Sequence, residues 1–469
     1  MSLSSYIPRI PEKGFGMGWK SLKSAKPADD LSVHKFGGGI WGASGEGIKD
    51  VDEALSPYGM KLIVVSAFDG VTERLRMGEW ESVLATYACA GKAHIQSSEE
   101  LKGFAQTLDG FRWRLERGRK FISKAEMWGL GELLSAELFY HHRKSAGKKV
   151  SRLEFGEGFP IIARNYKPDD ADPDLEASRA RRRAIKEALE IGEEVIIPGF
   201  LACTKDDQAV TLGEGASDTS AYVLAYAMNV TEVILWKETE GIRTANPDLI
   251  PGTRLVEYLT SSEGLNIALF GGKVLNYKGM RIGYEYGIDG KIKHIKPPYK
   301  CTNIVEKSEE PKEWAKKPTK YVGGTADALQ VPVPYGMFSE FIEKVIENNL
   351  GDFTHIIGPA LHPQLIILDR QKVYKMELTG EERKVLDSGR NVAVVSVVGD
   401  GLGPAQNVLK RGTDAISKNA AILGSVSSVR DGLQTEGAYM SFAVEPSLFS
   451  QAVKWLHEEF IEKDPAWRK

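Results

Sequence analysis

Apolar, β-branched runs alternate with helical segments through the first ~300 residues, and no other feature constrains the fold as much. "LSVHKFGGGIWG" reads as a strand running into a glycine turn, and "MKLIVVSAF" as a buried strand. "FISKAEMWGLGELLSAELFYHHRKSAG" carries apolar residues at helical spacing and stops near Gly147. "EEVIIPGFLA" and "EVILWKETEG" are two more buried strands, separated by the helix "DTSAYVLAYAMN". Buried apolar strands alternating with helices predict an α/β domain with a mostly parallel sheet between helices. In such sheets ligands bind beyond the carboxyl ends of the strands, where the glycine-rich turns of this chain fall.

The pattern changes past residue 320. "NIVEKSEEPKEWAKKPTK", residues 303–320, is charged, proline-bearing and poor in apolar residues, which predicts a linker. Residues 391–460 read strand, glycine turn, helix, strand, strand, helix, and residues 320–380 show a vaguer version of the same order. The expected organisation is an arm over 1–30, an α/β domain over 31–302, the linker, and two α+β units over 321–385 and 386–469, the first divergent.

Composition excludes some roles. A net charge of -3 gives no general attraction to nucleic acid or to an anionic membrane surface. No apolar run reaches the length of a membrane span, and the N-terminus lacks the apolar core of a signal peptide. Cys89, Cys203 and Cys301 are sparse and far apart, as expected of a reducing, cytoplasmic location. The 8 histidines show no ligand spacing, so no protein-held metal is expected. His141 and His142 are expected to cap a helix end, and His457 to be structural.

Two glycine turns carry chemistry. Backbone N–H groups at a helix start favour anions, so "TLGEGASDTSA" has the form of a phosphate-holding loop, yet Glu214 sits inside it. Lys35 ends a strand before Gly37 and Gly38, whose lack of side chains lets backbone approach a ligand closely. Lys237 and Glu238 end another strand.

Taken in order, "KFGGGIWG", "VVSAFDGVTERL", "GELLSA", "TLGEGASDTSA", "WKETEGIRTANPDLIP" and "FGGKVLN" resemble the aspartate kinases of the amino-acid kinase superfamily. The resemblance runs from about residue 31 to 460, with the C-terminal pair resembling the family's regulatory ACT units. It implies transfer of the γ-phosphoryl of ATP, with Mg²⁺, to the side-chain carboxylate of L-aspartate, on the way to lysine, threonine and methionine. By resemblance Lys35 and Asp218 are catalytic, with Asp218 organising the centre. Ser66, Thr72, Glu132, Glu214 and Ser217 bind the amino acid, Glu132 as partner of its ammonium. Gly37, Gly38, Gly215, Lys237, Glu238, Arg243 and Lys273 line the ATP side. The resemblance also implies a homo-oligomer paired through the ACT units and an amino-acid effector bound there.

The chain departs from the family at the active face. Glu214 stands where the family has an arginine expected to hold a substrate carboxylate. "GGGIW" replaces GGTSV, removing two hydroxyls; Asn246, Asp248, Arg243 and Asn276 replace Asp, Arg, Tyr and His. Three readings follow: an aspartate kinase with its carboxylate-binding cation moved, a kinase for another substrate, or a silent kinase serving as an ACT-type amino-acid sensor. Retention of Lys35, Glu132, Asp218, Lys237 and Lys273 favours an active kinase.

Overall fold

A computed structural model describes residues 31–118, 122–272, 274–347, 354–357, 364–402, 405–427 and 438–467. The expected arm over 1–30 and the candidate Lys273 lie outside the described residues. The described residues divide into two compact units: 31–242 with Lys278–Ile304, and Arg243–Tyr277 with those from Val305 onwards.

The first unit is built on a mostly parallel sheet. Its strands are β1 (Ser32–Phe36), β2 (Lys61–Val65), β3 (Val150–Arg152), β4 (Glu194–Pro198) and, after a small hairpin of β5 (Leu201–Cys203) and β6 (Ala209–Thr211), β7 (Glu232–Lys237). The order is β3-β4-β2-β1-β7, continued by Asp289–His294 in parallel and Cys301–Val305 in antiparallel fashion. β2 and β4 are buried at every position, as their unbroken apolar runs require. β1 lies between β2 and β7, so the chain leaves it in opposite directions and a crevice opens at the shared carboxyl end.

Alternation along β1 assigns its two faces. His34 and Phe36 point into the core that holds Trp41, Trp236 and Phe139. Val33 and Lys35 point the other way, towards the helix Ser217–Met228, which is buried along its whole length. His34 donates or accepts at Ser32 Oγ (2.8 Å) and accepts from Trp236 Nε1 (3.2 Å), and burial pushes its pKa down to about 3. It is a neutral core residue, not an acid–base group.

The long helix expected around "GELLSA" is two helices, Lys124–Trp128 and Leu130–Ser145, broken at Gly129. His141 and His142 do not cap its end. Their rings pack sideways, His141 Nδ1 on Glu100 (2.7 Å) and His142 Nε2 on Asp52 (2.7 Å), beside Arg143, which grips Glu194 and Asp52.

In the second unit a six-stranded antiparallel sheet has the order Thr354–Ile357, Gln364–Ile367, Tyr321–Pro332, Arg390–Val398, Tyr439–Val444, Gly424–Ser427. The strand Tyr321–Pro332 pairs with Gln364–Ile367 on one edge and Arg390–Val398 on the other, so both α+β stretches share one sheet. The stretch read as a linker is more ordered than its composition suggests. Residues 301–305 are strand, and Trp314 and Lys320 are buried, the latter paired with Glu310 (2.5 Å). Charge without apolar periodicity hid this, because a buried tryptophan and a few ion pairs anchor the segment. Among the described residues, no helix is long and apolar enough to cross a membrane.

Candidate active site

Sheet register builds the centre of the site. Lys35 pairs with Leu235 of β7, so Lys237, two residues on, shares its face at the diagonal position that long side chains reach. Asp218, in the first turn of the helix Ser217–Met228, completes the cluster. Lys35 Nζ lies 2.8 Å from Asp218 Oδ1, and Lys237 Nζ lies 3.0 Å from Oδ2. Asp218 is not the helix N-cap, its competing role; Ala216 holds that position without a side-chain bond.

Electrostatics follow from burial. Burial pushes the Lys35 ammonium down to about 8, against the pull of Asp218 and with the help of Lys237. Burial works the other way on Asp218, but Lys237 and Lys35 outweigh it and hold the carboxyl below the usual aspartate range. The cluster therefore carries two cations on one anion, a net positive spot facing the crevice, with Asp218 ionised and unfit to act as a base near neutrality.

Glu132 is the second component. It is 4 % exposed, and burial pushes its pKa up to about 7 against backbone N–H bonds from Ala67 and its own amide. Its Oε2 is buried with no hydrogen-bond partner. A buried carboxylate with one orphan oxygen awaits a donor, and an ammonium is the donor that compensates it best. Gly131 seats this helix: a Cβ there would overlap Ala67 and Val71. Tyr87, which sequence reading missed, ties the pieces together. Its hydroxyl donates to Gly131 O (2.9 Å), lies 2.8 Å from Ser135 Oγ and accepts from Phe68 N (3.2 Å). Within the helix Trp80–His94 it looks like one more apolar residue.

The remaining candidates fall around these two. A Cβ on Gly38 would come within 2.9 Å of Ala67 O, and one on Gly37 within 3.5 Å of Lys35 Nζ, so this turn packs against the turn after β2. Ser66 is buried on that second turn, its N–H donating to Phe36 O (3.3 Å). Thr72 is half-buried at the start of the helix Val71–Arg76. Ser217 is buried against Gly199, while Glu214 and Gly215 are exposed at the loop tip, where Gly213 and Gly215 take φ values of 99° and 70°. Arg243 belongs to the other unit, where its Nε donates to Thr253 Oγ1 (2.8 Å). Among the described residues, no three His, Cys, Asp or Glu side chains are grouped to hold a metal ion.

One sequence departure has a physical explanation. A Cβ on Gly39 would overlap the Glu238 carboxylate, so the residue standing in for threonine is coupled to the acid at the end of β7. Glu238→Gln removes an anion beside the phosphate-type turn and is expected to lower KM for ATP roughly threefold, the scale of one solvent-screened charge pair. Gly39→Thr is expected to displace the same carboxylate and give the same change. The double variant should show no further effect, and two independent, additive changes would disprove the coupling.

A sequence profile of the amino acid kinase family matches residues 30–292. The chain belongs to the amino acid kinase family. Similar members include an aspartokinase of Pseudomonas aeruginosa, 24 % identical over 300 residues that cover 60 % of this chain and 70 % of that one. Aspartokinase 3 of Arabidopsis thaliana chloroplasts is 23 % identical over 479 residues, covering 92 % and 82 %. Among solved structures, E. coli aspartokinase III in complex with aspartate and ADP superposes with a TM-score of 0.75 at 18 % identity, over 91 % of this chain and 99 % of that one. The same enzyme with lysine and aspartate gives 0.66 at 19 % identity, over 92 % and 99 %. The amino acid kinase fold, with an antiparallel sheet after it, is thus shared along nearly the whole chain.

Proposed function

We propose that this protein is an aspartate kinase, transferring the γ-phosphoryl group of Mg–ATP to the side-chain carboxylate of L-aspartate. The observation that carries this reading is the cluster of Lys35, Lys237 and Asp218 at the carboxyl ends of β1 and β7. Such transfer depends on positioning and on neutralising phosphate charge, and two lysines on one anchoring aspartate supply both. An acceptor carboxylate oxygen attacks the γ-phosphorus as the bond to the bridging oxygen breaks, giving an acyl phosphate and ADP. The acceptor is already ionised, so no general base is needed; Asp218 is held as an anion, His34 is buried and neutral, and Glu132 is given to the substrate ammonium. Glu132, with its orphan oxygen, holds the substrate ammonium. Mg²⁺ brought in by the nucleotide would neutralise phosphate charge alongside Lys35 and Lys237.

Similarity to named aspartokinases along nearly the whole chain supports this substrate. The C-terminal sheet, with two strand–helix–strand–strand stretches, supports an ACT-type pair that binds an amino-acid effector and joins subunits into a dimer. A location in the cytoplasm fits the sparse thiols. Exposure of Glu214 at the loop tip favours a second reading, a kinase whose acceptor lacks the α-carboxylate or carries a cation. A coupled ADP-release assay with Mg–ATP and a panel of amino acids decides between them. Turnover with L-aspartate establishes the first reading. Turnover only with decarboxylated or cationic analogues establishes the second, and failure with every acceptor rejects both.

A further inference from the structure

Lys278 opens the helix Tyr277–Tyr286 and looks, in sequence, like a solvated surface lysine. Its surroundings differ. Nζ donates to Asp170 Oδ1 (2.7 Å), to Ala171 O (2.9 Å) and to Leu212 O (3.2 Å), and lies 3.3 Å from Asp172 Oδ1 and 3.5 Å from Asp170 O. An ammonium has three hydrogens, and here three acceptors at good distance use them all. Lys278 is thus saturated by protein groups and is not a free ligand for phosphate or substrate.

Those acceptors come from two separate segments. One is the acidic stretch 168–172; the other is the start of the glycine-rich loop that leads into Asp218. The segments also bond directly: Thr211 N donates to Pro168 O (3.1 Å) and Ala171 N to Thr211 O (2.8 Å). Asp170 presses on the loop from the side, since a Cβ on Gly213 would overlap its carboxylate. Past Leu212 the loop is shaped by Gly213 and Gly215, both at positive φ, and Ala216 N donates to Gly213 O (3.2 Å). Lys278 therefore grips the loop at Leu212, just before the tip that carries Glu214.

We propose that Lys278 is a positioning residue for the acceptor side of the reaction: by clamping the 168–172 stretch onto Leu212 it fixes where Gly213 and Glu214 stand. Asp218, further along, has its own anchors in Lys35 and Lys237. Loss of the clamp thus displaces the tip and spares the nucleotide side. The kinetic part of this inference rests on the aspartate kinase reading; the structural part does not.

The test compares wild type, Lys278→Met and the double variant Lys278→Met/Asp170→Asn. In Lys278→Met, hydrogen–deuterium exchange is expected to rise over residues 211–216 and 168–172, while the segments around β1 and β7 stay protected. KM for L-aspartate is expected to rise roughly tenfold or more, with KM for ATP within about threefold, as for a geometric displacement distant from the chemistry. The double variant also removes the charge of Asp170, the carboxylate that Lys278 contacts at 2.7 Å. It is expected to recover any lost Tm but not the KM, because Leu212 O still lacks its donor. Recovery of KM in the double variant would reduce Lys278 to a charge neutraliser and overturn the proposal. So would unchanged exchange over 211–216. Wild type that releases no ADP with any acceptor would reject the aspartate kinase reading alone, and the exchange data would still decide the clamp.

Discussion

Lys35→Met will lower kcat roughly 10³-fold, the scale of removing one preorganised charge from a transition state. Lys35 is buried, faces the crevice and shares Asp218 with Lys237, so it stands where negative charge develops on the phosphoryl group. Methionine keeps the length and apolar stem of the side chain and leaves Asp218 paired with Lys237. The folded state should therefore survive, because the lost pair is offset by a lost desolvation cost, the same cost that pushes the Lys35 pKa down to about 8. Steady-state ADP release together with a thermal melt checks this. A kcat within about tenfold of wild type, in a protein that melts normally, would remove Lys35 from the transition state.

Glu132→Gln is expected to cost roughly 10²-fold in kcat/KM for the amino acid, as for truncating a buried charge pair. It should also change the pH profile. Glu132 must be ionised to hold an ammonium, and burial pushes its pKa up to about 7. Wild-type kcat/KM should thus rise as pH increases through about 7. Lys35 must stay protonated, and its pKa is pushed down to about 8, so activity should fall again above that value. The result is a narrow bell whose limbs report the free enzyme. Glutamine is neutral at every pH, so the ascending limb should vanish and the descending limb remain. An ascending limb that persists in the variant would assign it to another group.

The sequence showed the framework well because its signals are local. Continuous apolar runs marked β2 and β4, and the order of the glycine words marked the turns at the sheet's carboxyl edge. Lys35, Asp218 and Lys237 could each be singled out, but their convergence could not, since it depends on pairing Lys35 with Leu235 across some 200 residues. Tyr87 and Lys278 were invisible for a related reason. Each acts through backbone groups of distant segments, and backbone acceptors leave no trace in residue identity. One signal did exist for Lys278: the acidic "PDDAD" at 168–172 needs a cation wherever it packs. The histidine pair at 141–142 misled in the opposite direction, because proximity to a helix end suggested a cap while Glu100 and Asp52 waited elsewhere in the chain.

The strand Tyr321–Pro332 is hydrogen-bonded along both edges, to Gln364–Ile367 and to Arg390–Val398. Cutting the gene between the two C-terminal stretches would leave this strand with one edge bare, a row of unpaired N–H and C=O groups on an apolar sheet. A truncated product ending near residue 385 should then recruit other chains to that edge and precipitate, whereas the intact second unit should melt as one cooperative block.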